Sequence, residues 1–353
     1  MVKKTVKAVL VILLTFFVAC GLFIGYLTLA NQVHQPIEAL EVVQSSKTVL
    51  SHETGFKVTT FNIGYGGLDK SQNFFADGGV NSRSDSLEKT MDNMDASMEF
   101  MSEIQSDIYL IQEIDVKASR SYNLNELDLL KRRFDDYSSV FAYNYNAIWV
   151  PVPLMSPMGH VDAGMGIFSK YLMDDAKRHQ LEGQESWPMK LVELDRCFIE
   201  TNLPLDNGKN LVVVNLHLSA YDEGGLLRNQ QVAHLKRYIN EQYEAGNYVL
   251  LGGDWNQLIS DVQLSDPDFM ANWPTWLVQI STELTETGFK WGVDDSVMTV
   301  RDLVTDYIAD ETFVTIIDGF LVSPNLEIVD VKGHDLGFEF SDHNPVTIEL
   351  RFN

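Results

Sequence analysis

Cysteine is nearly absent from this chain of 353 residues, which has two, Cys20 and Cys197. Cys20 sits inside a long apolar run. That leaves Cys197 alone in the remainder, so no disulfide can staple it and its stability must come from a core. The 45% hydrophobic fraction is ample for one. Basic residues are also scarce, 26 against 50 acidic, for a net charge of -24. No acidic residue lies in positions 1–30, where Lys3, Lys4 and Lys7 stand, so the part after residue 30 carries 23 basic against 50 acidic side chains, or -27. Such a surface repels polyanions at long range, and no basic patch is legible to offset it. Internal repeats and low-complexity tracts are missing too, which argues against solenoid or fibrous architectures. The length suits one large domain with appendages.

One long hydrophobic run is present. Ala8 to Ala30 is an uncharged apolar stretch of 23 residues, enough to cross a hydrocarbon core of about 30 Å. Lys3, Lys4 and Lys7 precede it, in a basic tail over 1–7, and Glu38 and Glu41 follow it. The positive-inside tendency then puts the N-terminus in the cytoplasm and the remainder outside, as a single-pass protein of the cell membrane. A cleaved signal peptide would have an apolar region of about 7 to 15 residues. The Val18-Ala19-Cys20-Gly21 stretch resembles a lipoprotein cleavage site, but Phe17 stands where Leu is usual and the apolar run continues past Cys20. All three readings put the remainder outside the cytoplasmic membrane. Residues 31–55 are mixed and polar and read as a stalk, which leaves 56–353 as the main folded domain.

Within that domain Val58 to Ile63 reads as the first strand, followed by a long Gly-, Asn- and Ser-rich loop, Gly64 to Asp85. Loops of that length in compact domains are usually functional or disordered. Asp85 and Glu88 suggest a capping box opening a helix. Leu87, Met91, Met94, Met98, Met101 and Ile104 then recur at helical spacing and read as a core-facing stripe. Asp107 to Ile114, Gly164 to Ser169, Leu211 to Leu218, Tyr248 to Leu251, Ile316 to Val322 and Val346 to Phe352 are short and β-prone. Helical patterns separate several of them, as expected of a mixed α/β domain.

Five polar clusters end such runs: Phe61-Asn62-Ile63, Gln112-Glu113, Asn215-Leu216-His217, Gly253-Asp254-Trp255-Asn256 and Ser341-Asp342-His343. Carboxylates and amide oxygens hold hard cations, and histidines move protons, so the set suits metal-assisted phosphoester hydrolysis. Asp254 and Asn256, two apart on extended chain, share a face, as do Asn215 and His217. Trp255 points the other way, into the core. Pro345 restricts Asn344, which implies a fixed turn ahead of the last strand.

Gly-Gly-Asp-Trp-Asn (252–256) and Ser-Asp-His-Asn-Pro-Val (341–346), with Ile-Gln-Glu-Ile-Asp (111–115) and Ile-Asp-Gly-Phe-Leu-Val-Ser (317–323), carry a resemblance to the endonuclease/exonuclease/phosphatase superfamily over roughly residues 56–353. That superfamily includes pancreatic-type deoxyribonucleases, abasic-site endonucleases, inositol-phosphate phosphatases and bacterial sphingomyelinases. The resemblance implies an α/β fold, a four-layer α/β/β/α sandwich of two packed mixed sheets. It also implies Mg²⁺ or Mn²⁺ held by Glu113 with Asn62 and Asp342, with His343 as general base oriented by Asp318. Asp254 would position the attacking water or metal, and Asn256 and His217 would contact the phosphate.

Arg83, Arg120, Arg196 and Arg228 lie near these segments and are candidate phosphate clamps. Trp273, Trp276, Phe289 and Trp291, in the insertion between Asn256 and Asp318, offer either a stacking or lipid-facing surface or ordinary loop packing. The substrate is left open among nucleic acid, lipid headgroup and small phosphoester. A non-catalytic binding module is a weaker alternative, because every expected acid, amide and histidine is present. No feature calls for an obligate protein partner.

Overall fold

The same local unit is written twice along the chain. An apolar strand, a helix and a second apolar strand form β2 (Phe56–Asn62), α2 (Leu87–Ile104) and β3 (Ile108–Ala118), then β8 (Asn210–His217), α4 (Leu226–Glu244) and β9 (Tyr248–Asp254). In each unit the two strands pair in parallel, which a crossover helix makes possible. The computed structural model describes residues 2–259 and 273–353. Helix α2 is capped by Ser86, whose side chain accepts from the Lys89 amide. The N-cap is Ser86, on extended backbone, not Asp85, and with Lys89 three residues on, the expected capping box does not form. Met94, Met98 and Met101 are buried as the stripe implied, while Leu87 and Met91 face solvent.

Four more strands, β4 (Ser138–Val150), β5 (Gly159–Ser169), β14 (Leu326–Gly333) and β15 (Val346–Phe352), extend the first unit. The result is a six-stranded sheet in the order β14-β15-β2-β3-β5-β4. The second unit gains β1 (Ile37–Ala39), β6 (Asp175–Gln180), β7 (Cys197–Pro204), β10 (Lys290–Gly292) and β13 (Asp318–Val322). This seven-stranded sheet runs β1-β6-β7-β8-β9-β13-β10, and β11 (Val300–Arg301) with β12 (Val314–Thr315) form a separate ribbon.

Alternation along the strands gives each sheet two apolar faces. Val58, Leu110 and Ile348 of one sheet meet Val213 and Leu250 of the other in the central core. Outside the six-stranded sheet, α2 and α3 (Glu126–Arg133) cover Phe61, Tyr109 and Ile111. Outside the seven-stranded sheet, Val232, Leu235 and Ile239 of α4 cover Val212, Val214, Val249 and Leu251. The fold is thus the expected α/β/β/α sandwich.

Helix α1 (Val2–Ala30) precedes the sandwich and is long and apolar enough to cross a membrane. The segment read as a stalk is not free chain. Ile37–Ala39 pair with β6, Val43 bridges Ser139, and Leu50 is fully buried in the central core. Its apolar residues are too thinly spread to show a period, so only pairing with distant strands reveals them. In the insertion, residues 260–272 lie outside the described residues. Phe289 and Trp291 pack in the α4-side core, Trp291 edge-on to the buried Trp255, and Trp273 and Trp276 pack on Leu258 and Leu277.

Candidate active site

The ends of β8 and β9 and the bend in β3 face one cleft of ≈ 380 Å³, the usual ligand position at the carboxyl ends of parallel strands. Register sets His217 opposite Asp254 and Asp254 opposite Asp318. Directly opposed residues point to the same face, so these three side chains form a row across β8, β9 and β13. Gly253 makes the row possible. A Cβ there would lie 2.0 Å from the Leu216 carbonyl oxygen, and its φ of +145° suits only glycine. From the other sheet Asn62 reaches over, its Nδ2 donating to Asp254 Oδ2 at 3.1 Å and Glu113 Oε1 at 3.2 Å.

Glu113 does not end its strand, which continues to Ala118. It sits in a register shift between Ile111 and Ile114, with φ +57°. A bulge of this kind re-aims a side chain out of the pleat, here into the cleft. Asp342 and His343 arrive on the turn before β15. Ser341 Oγ donates to the Asn62 carbonyl at 2.8 Å and accepts from the His343 amide at 3.2 Å, tying that turn to β2. His343 Nδ1 lies 2.8 Å from Asp318 Oδ2, and its Nε2 is 3.7 Å from Asp254 Oδ2 and 4.0 Å from Asp342 Oδ2. Asn256, at φ +50°, donates its amide N–H to Asp254 Oδ1 and its side-chain Nδ2 to the Leu218 carbonyl.

Burial and charge divide the two histidines. Burial opposes the His343 imidazolium, but Asp318, Asp342 and Asp254 outweigh it and hold its pKa well above the ordinary histidine range. Burial pulls His217 well below that range, and Arg196, His343 and Arg120 add to the effect. His217 is therefore neutral at pH 7. Its Nε2 lies 3.4 Å from Asp254 Oδ2, and its buried Nδ1 has no hydrogen-bond partner. Burial, then the charge of Asp318, pushes Asp254 up to about 7, and burial, against His343 and reinforced by Glu113, pushes Asp342 up to about 6.

The four arginines separate. Arg120 lines the cleft, but its guanidinium is bonded twice over to Asp115, stacks 3.8 Å above the Tyr65 ring and comes within 3.8 Å of Glu113. It steadies the carboxylates. Arg196 also lines the cleft, is 93% buried as the complement of its 7% exposure, and leaves Nη1 with no hydrogen-bond partner. Arg83 and Arg228 are not brought to the cleft wall. Arg83 donates to the Pro157 carbonyl, and Arg228 pairs with Asp222 and donates to the Asn256 carbonyl. Sequence proximity had suggested them, but Arg228 is held by Asp222 and Asn256, and Arg83, whose Nε has no partner, lies away from the cleft wall.

Reading from sequence passed over Tyr65 and Arg301. Tyr65 is buried under Arg120, and Arg301 donates to the Leu68, Asp69 and Gln72 carbonyls, fixing the long loop that walls the cleft. The glycines flanking Tyr65 were the only local signal for it. Arg301 had none.

The donor set fits a hard divalent cation. The buried Asp342 and the partly exposed Glu113 line the same cleft, and crowded carboxylates are what such an ion neutralises. Asn62 Oδ1 accepts from the Gly64 amide, so its Nδ2 orients Glu113 in a supporting position. Asp254, Asp318 and His343 also present ligand atoms within 4.8 Å of one another, a cluster that can hold a metal ion.

Residues 59–343 match the model of the Endonuclease/Exonuclease/phosphatase family. A solved endonuclease/exonuclease/phosphatase from Bacteroides vulgatus is 18% identical, with 85% of this chain and 100% of that one covered and a TM-score of 0.56. The human Nocturnin catalytic domain with bound sulfate is 15% identical, covering 89% and 98%, TM-score 0.54. TDP2 from D. rerio, complexed with single strand DNA product, is 12% identical, covering 85% and 100%, TM-score 0.52. At these identities the likeness is one of fold. No curated protein matches. With the family match spanning most of the chain and the sandwich shared with these structures, the chain belongs to the endonuclease/exonuclease/phosphatase family, hydrolases of phosphoester bonds.

Proposed function

We propose that the protein is a divalent-metal-dependent phosphoester hydrolase, tethered to the membrane by α1 and facing outward. The observation that carries this reading is the His343–Asp318 contact at 2.8 Å beside the His217–Asp254–Asp318 row. Asp318 holds the imidazole by Nδ1, and Nε2, 3.3 Å from Asn62 Nδ2, is the nitrogen that would take a proton from water once the ring is deprotonated. That form is favoured when the carboxylate charge that holds His343 protonated is offset by a cation on Glu113 and Asp342. Asp254 positions that water. His217 in its Nδ1–H tautomer, the second Nδ2 hydrogen of Asn256 and Arg196 Nη1 are the donors that would bond the phosphoryl oxygens and stabilise their developing charge. Glu113 and Asp342, with Asn62 orienting Glu113, would hold Mg²⁺ or Mn²⁺, which when bound supplies further charge stabilisation to the phosphoryl group. No covalent enzyme intermediate is required.

A nuclease reading draws on the TDP2 structure with its DNA product, and the net charge of -24 opposes it. A lipid-headgroup reading draws on α1 and on an apolar cleft wall of Leu68, Phe74, Phe75, Val150, Met158 and Leu194. The test is full-length protein in detergent with plasmid DNA, sphingomyelin, inositol phosphates and a generic diester, in Mg²⁺, Mn²⁺ or EDTA. We expect metal-dependent turnover that falls by about 10²–10⁴-fold in His343→Ala. Wild-type turnover in a folded His343→Ala protein would remove His343 as the base.

A further inference from the structure

The turn joining β4 and β5 is unlike the rest of this acidic surface. From Tyr137 to Gly159 no charged residue occurs, and the tip reads Trp149-Val-Pro-Val-Pro-Leu-Met-Ser-Pro-Met158. Leu154 is 86% exposed and Met155 94%, the highest among large hydrophobics of the described residues outside α1. Clustered exposure of this kind marks an interaction surface. The base of the turn faces inward, where Val150 and Met158 pack with Phe74, Phe75, Val192 and Leu194 along the cleft.

A second exposed turn, Trp187-Pro188-Met189 between Glu185 and Lys190, borders the same cleft. Trp187 and Met189 are about half exposed, and Met189, like Val152 of the first turn, lines the cavity. Trp187 also touches α1, its Nε1 donating to Thr28 Oγ1 at 3.1 Å beside the buried Leu27. The end of the apolar helix and the apolar lip of the cleft are thus in direct contact. Where α1 crosses a bilayer, Thr28 lies at its outer boundary, the level at which tryptophan is favoured.

We propose that this lip, the Trp149–Met158 tip with the Trp187–Met189 turn, is immersed in the outer leaflet of the membrane that α1 crosses. The cleft then opens onto lipid, and the substrate is a phosphoester carried on a membrane lipid. Its apolar part lies along Phe74, Phe75, Val150 and Leu194, and its phosphate meets His217, Arg196 and His343. The charge balance agrees. A body with 50 acidic and 23 basic side chains is not drawn to anionic headgroups. Its hold on the leaflet must come from apolar insertion, which the uncharged tip permits.

The substrate half of this inference rests on the phosphoester hydrolase reading; the lip itself does not. Full-length protein is reconstituted in phosphatidylcholine vesicles with and without acyl-brominated lipid, and tryptophan fluorescence is recorded. Helix α1 has no tryptophan, so Trp149→Phe and Trp187→Phe assign the signal. Quenching that falls in the double variant is expected, and brominated lipid that leaves both tryptophans unquenched overturns the lip. Leu154→Glu with Met155→Glu should cut hydrolysis of sphingomyelin or phosphatidylinositol phosphate in vesicles by about tenfold or more. Turnover of soluble bis-p-nitrophenyl phosphate should stay unchanged. Equal loss on both, or turnover of DNA and the soluble diester but of no vesicle lipid, overturns the substrate assignment. If even the soluble diester is not cleaved, the hydrolase reading fails, while quenching still decides the lip.

Discussion

At the scale of single residues, the site is assembled where the backbone departs from strand geometry. Glu113 and Asn256 both have positive φ, and Gly253 allows β9 to approach β8 more closely than any side chain would. Such conformations persist only where the surroundings enforce them. Away from the site, His334 offers a clean test of burial. Its Nε2 lies 2.9 Å from Thr347 Oγ1, and burial, with Lys332 and Lys57 nearby, pushes its pKa down to about 4. The folded state thus disfavours the imidazolium. Its contribution to stability is intact above the unfolded value of about 6.5 and is lost as pH falls towards 4. In thermal melts the wild type should lose stability over that window relative to His334→Gln; parallel curves would contradict it.

At the scale of elements, the chain before residue 56 belongs to the sandwich. Strand β1 covers the edge of β6, and Leu50 fills the central core. A fragment starting at residue 56 should therefore melt below one starting at residue 31. Loss of the Leu50 side chain alone is worth about 2–5 kcal/mol, and uncovering β6 adds an edge that invites aggregation. Equal melting temperatures would show that these contacts carry no stability. The strands legible in the sequence were β2, β3, β5, β8, β9, β13 and β15, whose apolar runs are dense, whereas β4 and β7, also largely buried, were missed because Asn144, Asn146, Glu200, Thr201 and Asn202 break up their apolar residues. Strands β1, β6 and β14 hold few buried apolar side chains, and their place in the sheets depends on pairing that no local pattern encodes.

At the scale of the whole molecule, charge limits which phosphoesters the cleft can take. Proteins gripping 6–10 phosphates lose about 10³–10⁵ in affinity between 50 and 200 mM salt. With 23 basic against 50 acidic side chains after residue 30, no such slope is expected. The kcat/KM for bis-p-nitrophenyl phosphate should change by less than about twofold over that range. A steep salt-dependent fall on single-stranded DNA would instead revive the nucleic-acid reading.

The chemistry was legible in the sequence because it is carried by residue types at the ends of strands. Asp254, Asp318, Asp342, His217 and His343 stand in short motifs, but that His217, Asp254 and Asp318 share a face is set by the register between three strands, which alternation within a strand does not give. Which groups face the cleft is a different kind of fact. A bulge aims Glu113, the Gly64 amide turns Asn62 Nδ2 towards the carboxylates, and Asp115 and Asp222 occupy Arg120 and Arg228 while Arg196 keeps a free donor. The partners of Asn62, Arg120 and Arg228 stand within six residues of them, yet whether each bond forms depends on the turn that brings the pair together, and Arg301 lies more than 200 residues from the loop it holds. A side chain's type is local to the chain, whereas its direction and the number of its bonds still open are properties of the packed whole.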